Sequence, residues 1–314
     1  MRKLVRAETG ALRKFPVIVA ICCWVAAVLF VKYFSLVMDV HTQNFFRYLG
    51  ASLFLALVLK VAYPGCFRRY RRKAHIYLML GAMMTSFQLC WVHALYLVDP
   101  AFVSLLSKVS TPLITVAAFL FYREERAVIR SPRFLTGFFM GLAGVAGIVA
   151  GISNFEVGLL HSQKTGIALI VAGAVIWSVY VNMVKHVVRE ENPLVAFSFT
   201  CMSATAILFP IMLVWGKPST LLGGSAQMIV LLVVSGIIGL AGANSSYFLS
   251  IKRIGLAPSA NLVLINPFLT AVASYLVFGE RLTAVQWVFG SILVAGCALV
   301  ISVRPTEPDE AERL

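Results

Sequence analysis

Residues 100–122 read PAFVSLLSKVSTPLITVAAFLFY, and residues 257–278 read APSANLVLINPFLTAVASYLVF. At about 1.5 Å of rise per residue, each is long enough to cross the roughly 30 Å of bilayer hydrocarbon as a helix. Each carries a proline near its middle, Pro112 and Pro267, and the segments match in register: Ser104 with Ser259, Pro112 with Pro267, Thr115 with Thr270. A Glu-Arg pair follows both, Glu125-Arg126 and Glu280-Arg281. One spanning pattern written twice points to a duplicated, all-α membrane protein.

The rest of the chain agrees. Its 314 residues are 60% hydrophobic and 13% charged, with a mean hydropathy of +0.88, whereas soluble chains are about half apolar. A soluble fold is excluded, and with it the nucleic-acid partner that 27 Lys and Arg against 13 Asp and Glu would otherwise suggest. Windows of about 20 apolar residues give ten spans: Phe15–Met38, Thr42–Tyr63, Ile76–Leu97, Pro100–Tyr122, Phe134–Gly151, Gly166–Val187, Leu194–Trp215, Met228–Leu249, Ala257–Phe278 and Val285–Val303. The first is too long for a signal-peptide core and reads as a retained span. An even count puts both termini on one side. With that side cytoplasmic, the basic clusters at the amino terminus, at Lys60–Lys73 and at Arg123–Arg133 lie inside, and only Lys164, Lys217 and Arg281 lie outside. The plasma (inner) membrane is the expected location.

Further matches share nearly the same separation along the chain: Trp24 with Trp177, Lys32 with Lys185, Gly81 with Gly236, and Ala146-Gly147 with Ala295-Gly296. The organisation is therefore a first five-helix repeat over 1–151, an external linker at 152–164, a second five-helix repeat over 165–303 and a cytoplasmic tail at 304–314. Five is odd, so the second copy enters from the opposite side. That is an inverted-topology repeat, which lets one half gate against the other around a midplane site.

Two halves, a Trp followed eight residues later by Lys in each opening helix, a mid-helix proline and a terminal Glu-Arg pair resemble the drug/metabolite transporter superfamily, specifically its EamA-type permeases. The resemblance covers nearly the whole chain. It implies a ten-helix transporter with a cavity lined mainly by the first, third, fourth, sixth, eighth and ninth helices, usually exporting small metabolites.

The prolines mark where chemistry is expected. Each removes the hydrogen bond to the residue four back, freeing the carbonyls of Lys108 and Val263, which in hydrocarbon must find other partners or line a cavity. Pro112 and Pro267 are thus candidate gating positions. Ser104, Lys108, Thr111 and Thr115 fall on one helical face, matched by Ser259, Val263, Asn266 and Thr270. These two stripes either face one cavity or bond helices together. Lys108 lies about 12 Å below the outer end of its span, where an ionisable residue faces protein or water. Its K-x-x-x-P setting resembles the phosphate-translocator branch, in which a lysine there holds an anion. The ninth span offers Val263, Leu264 and Ile265 and no basic pair, which argues against a doubly charged organophosphate. Lys32 and Arg47 are secondary charge candidates that could instead snorkel or pair with Asp39 or Asp99; Lys185 reads as an interface anchor. Gln88, Trp91 and His93 in the third span, and Asn244, Ser246 and Tyr247 in the eighth, could coordinate polar groups or bond to other helices.

The expected function is secondary transport of a small polar or anionic metabolite by alternating access, as exporter or exchanger. The alternatives are a lipid head-group flippase and a non-transporting scaffold or sensor. No carboxylate, His or Cys constellation of an enzyme is found, no P-loop, no C-x-x-C and no metal-ligand spacing. No cofactor or metal is expected; the partners are a small-molecule substrate and the bilayer. Gly137, Gly141, Gly144, Gly147 and Gly151 make the fifth span a surface for close helix packing or for a homodimer.

Overall fold

The computed structural model describes residues 2–67, 70, 73–98, 103, 106–150, 161–222, 225–278 and 283–303. Among them every regular element is helical, as backbone groups in hydrocarbon require. The long helices are α1 (Arg2–Ser35), α2 (Val40–Ala62), α3 (Ala74–Leu97), α4 (Ser107–Phe121), α5 (Pro132–Ala150), α6 (His161–Glu190), α7 (Pro193–Trp215), α8 (Ala226–Ile254), α9 (256–278) and α10 (Ala284–Ser302). Seven helical stretches are long and apolar enough to cross a membrane, in α1, α2, α3, α6, α7, α8 and the first part of α9, while Ser107–Phe121 and Trp287–Ser302 are apolar but shorter. Two short helices, Arg123–Ile129 and Ser219–Leu222, occupy stretches expected as loops.

Local chemistry sets the helix ends. Asp39 accepts hydrogen bonds from the backbone N–H of His41 and Thr42, both at 3.0 Å, and starts α2. Asn192 caps α7 by accepting from Leu194 N–H at 2.9 Å, with Pro193 opening the first turn. The Asp39 carboxylate also accepts from Lys217 N–H. Burial works against its charge, but the bonds from Thr42, Lys217 and His41 outweigh it and hold its pKa below the usual carboxylate value. Most of the spans expected from sequence fall within about five residues of these helices; the largest departure is α1, which begins at Arg2 rather than Phe15, and α6 extends Gly166–Val187 by five residues at its start and three at its end.

α3 lies against α6 and α1 against α8; α7 packs on α2 and α3; α4 meets α6 and the start of α9; α5 runs along α10. Glycines permit the closest crossings. A Cβ on Gly81 would sit 2.6 Å from Ser203 Cβ of α7, and one on Gly236 would sit 2.1 Å from the Arg47 carbonyl of α2. Gly137 and Gly296 bring α5 and α10 into backbone contact, a Cβ on either falling within 2.7 Å of the other's carbonyl oxygen. The glycine face of α5 is thus spent inside the chain. At the α2–α7 crossing Ser52 and Thr205 share a 2.7 Å hydroxyl hydrogen bond. The buried core includes Tyr48, Tyr180, Phe197, Phe199 and Phe248, while large apolar side chains such as Leu57, Val61, Phe121, Trp215 and Leu276 point outward. An apolar exterior suits lipid rather than water.

Both proline helices are irregular at the positions expected. A 3₁₀ turn, Ser107–Val109, precedes Pro112, and its counterpart Val263–Ile265 precedes Pro267. The freed carbonyls accept tighter local bonds instead, Lys108 O from Ser110 N–H and Val263 O from Asn266 N–H. A third irregularity has no signature in the sequence reading: α8 winds as a π-helix over Ile237–Gly242.

Candidate functional site

A cavity of about 120 Å³ opens between the broken segments of α4 and α9. Lys108 and Thr111 reach it from α4, and Asn266 and Thr270 from α9. Gln88 and Trp91 come from α3, Asn244 and Tyr247 from α8. Arg47 enters from α2. Most of the expected site residues therefore converge on one space. Thr115 is buried but stands outside the wall, its hydroxyl donating to the Thr111 carbonyl at 2.9 Å. Lys32 is exposed near the end of α1 and does not reach the cavity. Ser104, Asp99, Gly151, Glu280 and Arg281 lie outside the described residues, as do 304–314 and most of the linker. Ser259 serves as helix glue, bonded to Ser250 at 2.7 Å and to the Gly255 carbonyl at 2.6 Å. His93 bonds the Leu89 carbonyl and packs edge-on against His41.

The aromatic wall was not singled out from sequence. Trp24 and Trp177, noted there only as repeat markers, line the cavity with Phe87. Their rings form one cluster: Trp24 to Tyr247 at 5.0 Å between centroids, Phe87 to Trp177 at 4.7 Å, and Trp24 edge-on to Trp177 at 6.1 Å. The signal was available, since a tryptophan at matching positions in two opening helices places two indoles at one depth.

Charge in the cavity is one-sided. Lys108 forms no hydrogen bond or ion pair among the described residues and is only partly exposed. Arg47 is 1% exposed; its Nε donates to Ser235 Oγ at 3.2 Å and its Nη1 has no partner among the described residues. Asp39, considered from sequence as a partner for it, is committed to capping α2. Among the described residues no Asp or Glu lines the space. Asn244 donates to the Leu240 carbonyl, and the side-chain oxygens of Asn244 and Asn266 stay unpartnered.

The carboxylates gather beyond the aromatic floor. Lys185, expected to anchor the interface, is instead buried and donates to Glu125 Oε1 at 2.5 Å. Glu125 is 2% exposed and also accepts from the N–H of Leu256 at 2.6 Å and of Ala257 at 3.2 Å, at the start of α9. A carboxylate there meets the positive end of the helix dipole. Gly255 makes the approach possible: its φ is +98°, and a Cβ would lie 2.8 Å from Glu125 Oε1. Glu124 accepts from Arg189; burial opposes its charge, but that bond and the nearby Lys185 hold its pKa below the usual value. Lys73 donates to Glu190 and Glu191, both at 3.0 Å, which raises its pKa. Lys185 follows Trp177 by two helical turns, so this ion-pair cluster lies about 12 Å along α6 from the cavity residue Trp177.

All six cysteines are free, and among the described residues no group of three His, Cys, Asp or Glu is placed to hold a metal ion. The family model of the EamA-like transporter family matches residues 15–150 and again residues 164–302. An uncharacterized transporter of Haemophilus influenzae is 25% identical over 285 residues, covering 88% of this chain and 92% of that protein. A solved crystal structure shares the fold with a TM-score of 0.74 at 17% identity, covering 96% of this chain and 98% of the other. A multi-pass helical chain with an internal cavity, matched twice by one family, leads to a plain conclusion: the chain belongs to the EamA-like transporter family.

Proposed function

We propose that this protein is a secondary transporter, exporter or exchanger, of a small organic anion, working by alternating access. The observation that carries the reading is the pair of cations, Lys108 and Arg47, in a cavity wall that holds no acid among the described residues. A cation removed from water without a partner is costly, and a bound anion relieves that cost. The absence of a cavity carboxylate argues against cationic cargo.

The architecture proposed for this work is ten spans in two inverted repeats, 1–151 and 165–303, with both termini cytoplasmic in the plasma (inner) membrane. Several contacts support it. Trp24 touches Trp177, its repeat counterpart, and Ser52 touches Thr205, which stand at that same separation along the chain. Residues on a twofold axis meet their own counterparts. The helix pairs are reciprocal as well, α3 with α6 and α1 with α8. In this orientation the Glu125–Lys185 ion pair lies on the cytoplasmic side of the cavity.

The test is exchange of radiolabelled anions from a metabolite panel in proteoliposomes. Lys108→Met should fold at least as well as the parent and lose anion exchange at least tenfold, whereas Lys108→Arg should keep part of it with altered geometry. Wild-type exchange by Lys108→Met would overturn the anion site.

A further inference from the structure

Arg47 and the indoles of the cavity specify more than charge. Arg47 is held in place by a close helix crossing. A Cβ on Gly236 would collide with its carbonyl oxygen, and one on Gly239 would lie 3.2 Å from its Nη2. Where α8 makes room for this side chain it winds as the π segment Ile237–Gly242, a deviation found often at functional sites. The guanidinium is desolvated, its Nε donates to Ser235 Oγ, and its Nη1 has no partner among the described residues. Lys108 lines the same space with no partner among the described residues.

Around these cations the wall is built of rings. Trp24, Trp91, Trp177 and Phe87 all line the cavity and keep part of their surface uncovered, with Tyr247 buried behind them. Aromatic faces contact flat apolar groups well and offer a sugar few hydrogen bonds. The cavity volume, about 120 Å³, is of the same order as the roughly 150 Å³ space that accommodates benzene in an apolar protein interior. One small ring is on that scale.

We infer that the cavity takes a small, flat organic monocarboxylate such as an aryl acid, a reading that rests on the anion-transport proposal above and narrows its cargo. The carboxylate is shared between Arg47 Nη1 and Lys108 Nζ, and the ring lies against Trp24 and Trp177. A planar guanidinium matches a planar carboxylate through paired N–H groups, whereas an ammonium acts as a point charge.

The full chain, purified in nanodiscs, can be titrated with benzoate while tryptophan emission is recorded, since Trp24, Trp91 and Trp177 all line the site. Saturable quenching is expected, with acetate at least tenfold weaker and benzylamine and inorganic phosphate without effect. Lys108→Gln and Arg47→Lys should each weaken benzoate at least tenfold. Arg47→Lys keeps the buried charge, and an unchanged circular dichroism spectrum checks that both variants fold. Should Arg47→Lys fail that check, Lys108→Gln decides alone. Phosphate, acetate or benzylamine binding as well as benzoate would overturn the assignment, and so would unchanged benzoate affinity in Lys108→Gln. Failure to bind benzoate by protein that still exchanges another anion in proteoliposomes overturns the aryl-acid class and leaves the transport reading standing. Failure of both overturns both.

Discussion

At Glu125 three parts of the chain meet on one carboxylate: the short helix that carries it, Lys185 of α6 and the first N–H groups of α9. A buried ion pair adds little net stability against an apolar replacement, yet losing one partner strands the other charge. Glu125→Gln should therefore lower stability by about 3 kcal/mol, read as a lower midpoint of thermal unfolding in detergent. Adding Lys185→Met should recover part of the loss by removing the stranded ammonium. A midpoint unchanged in the single variant would mean that water reaches the pair and screens it. In sequence this site was half legible. The Glu-Arg pair stood out as a repeated motif, but nothing in one dimension says that Glu125 faces Lys185, sixty residues away. Lys108 was legible for the opposite reason: depth in a span can be counted along a helix, and a charge at that depth needs an explanation whatever surrounds it.

Among the elements, α4 and α9 carry the strongest expectation. A proline deletes a main-chain hydrogen bond wherever the chain goes, so a break near Lys108 and Val263 followed from composition alone, and both sites show a 3₁₀ turn. Pro112→Ala and Pro267→Ala should each allow a continuous helix, leave membrane insertion intact and slow transport severalfold in the proteoliposome assay. Normal rates in both would make the prolines packing features only. The π segment of α8 could not be foreseen in this way. It arises opposite Arg47 of α2, and helix propensity carries no information about a neighbour's side chain.

For the whole molecule the open matter is its sense in the membrane. On a background with the six native cysteines replaced, Lys217→Cys should react with an impermeant thiol reagent added outside intact cells. Lys60→Cys should react only after permeabilisation. Both positions are exposed, so silence cannot be blamed on burial. Labelling of Lys60→Cys from outside would reverse the orientation and place the cavity on the cytoplasmic side. The membrane class was legible from composition, because 60% hydrophobic residues in 314 cannot be hidden inside a soluble fold of this size. The family followed from short motifs in a specific order.

By itself the sequence determined what depends on composition and on separation along the chain: helices, most of their approximate ends, the doubled pattern and the proline breaks. These are set by hydrogen bonds and apolar periods within one segment, and they do not need a partner to be read. Tertiary structure alone decided which polar groups share a space. It placed Arg47 and Lys108 on one cavity and left Lys32 outside, turned Trp24 and Trp177 into a wall, withdrew Thr115 from it, and spent the glycines of α5 on α10. The rotation of each helix about its own axis sets these choices, and that rotation follows from packing against neighbours far away in the chain.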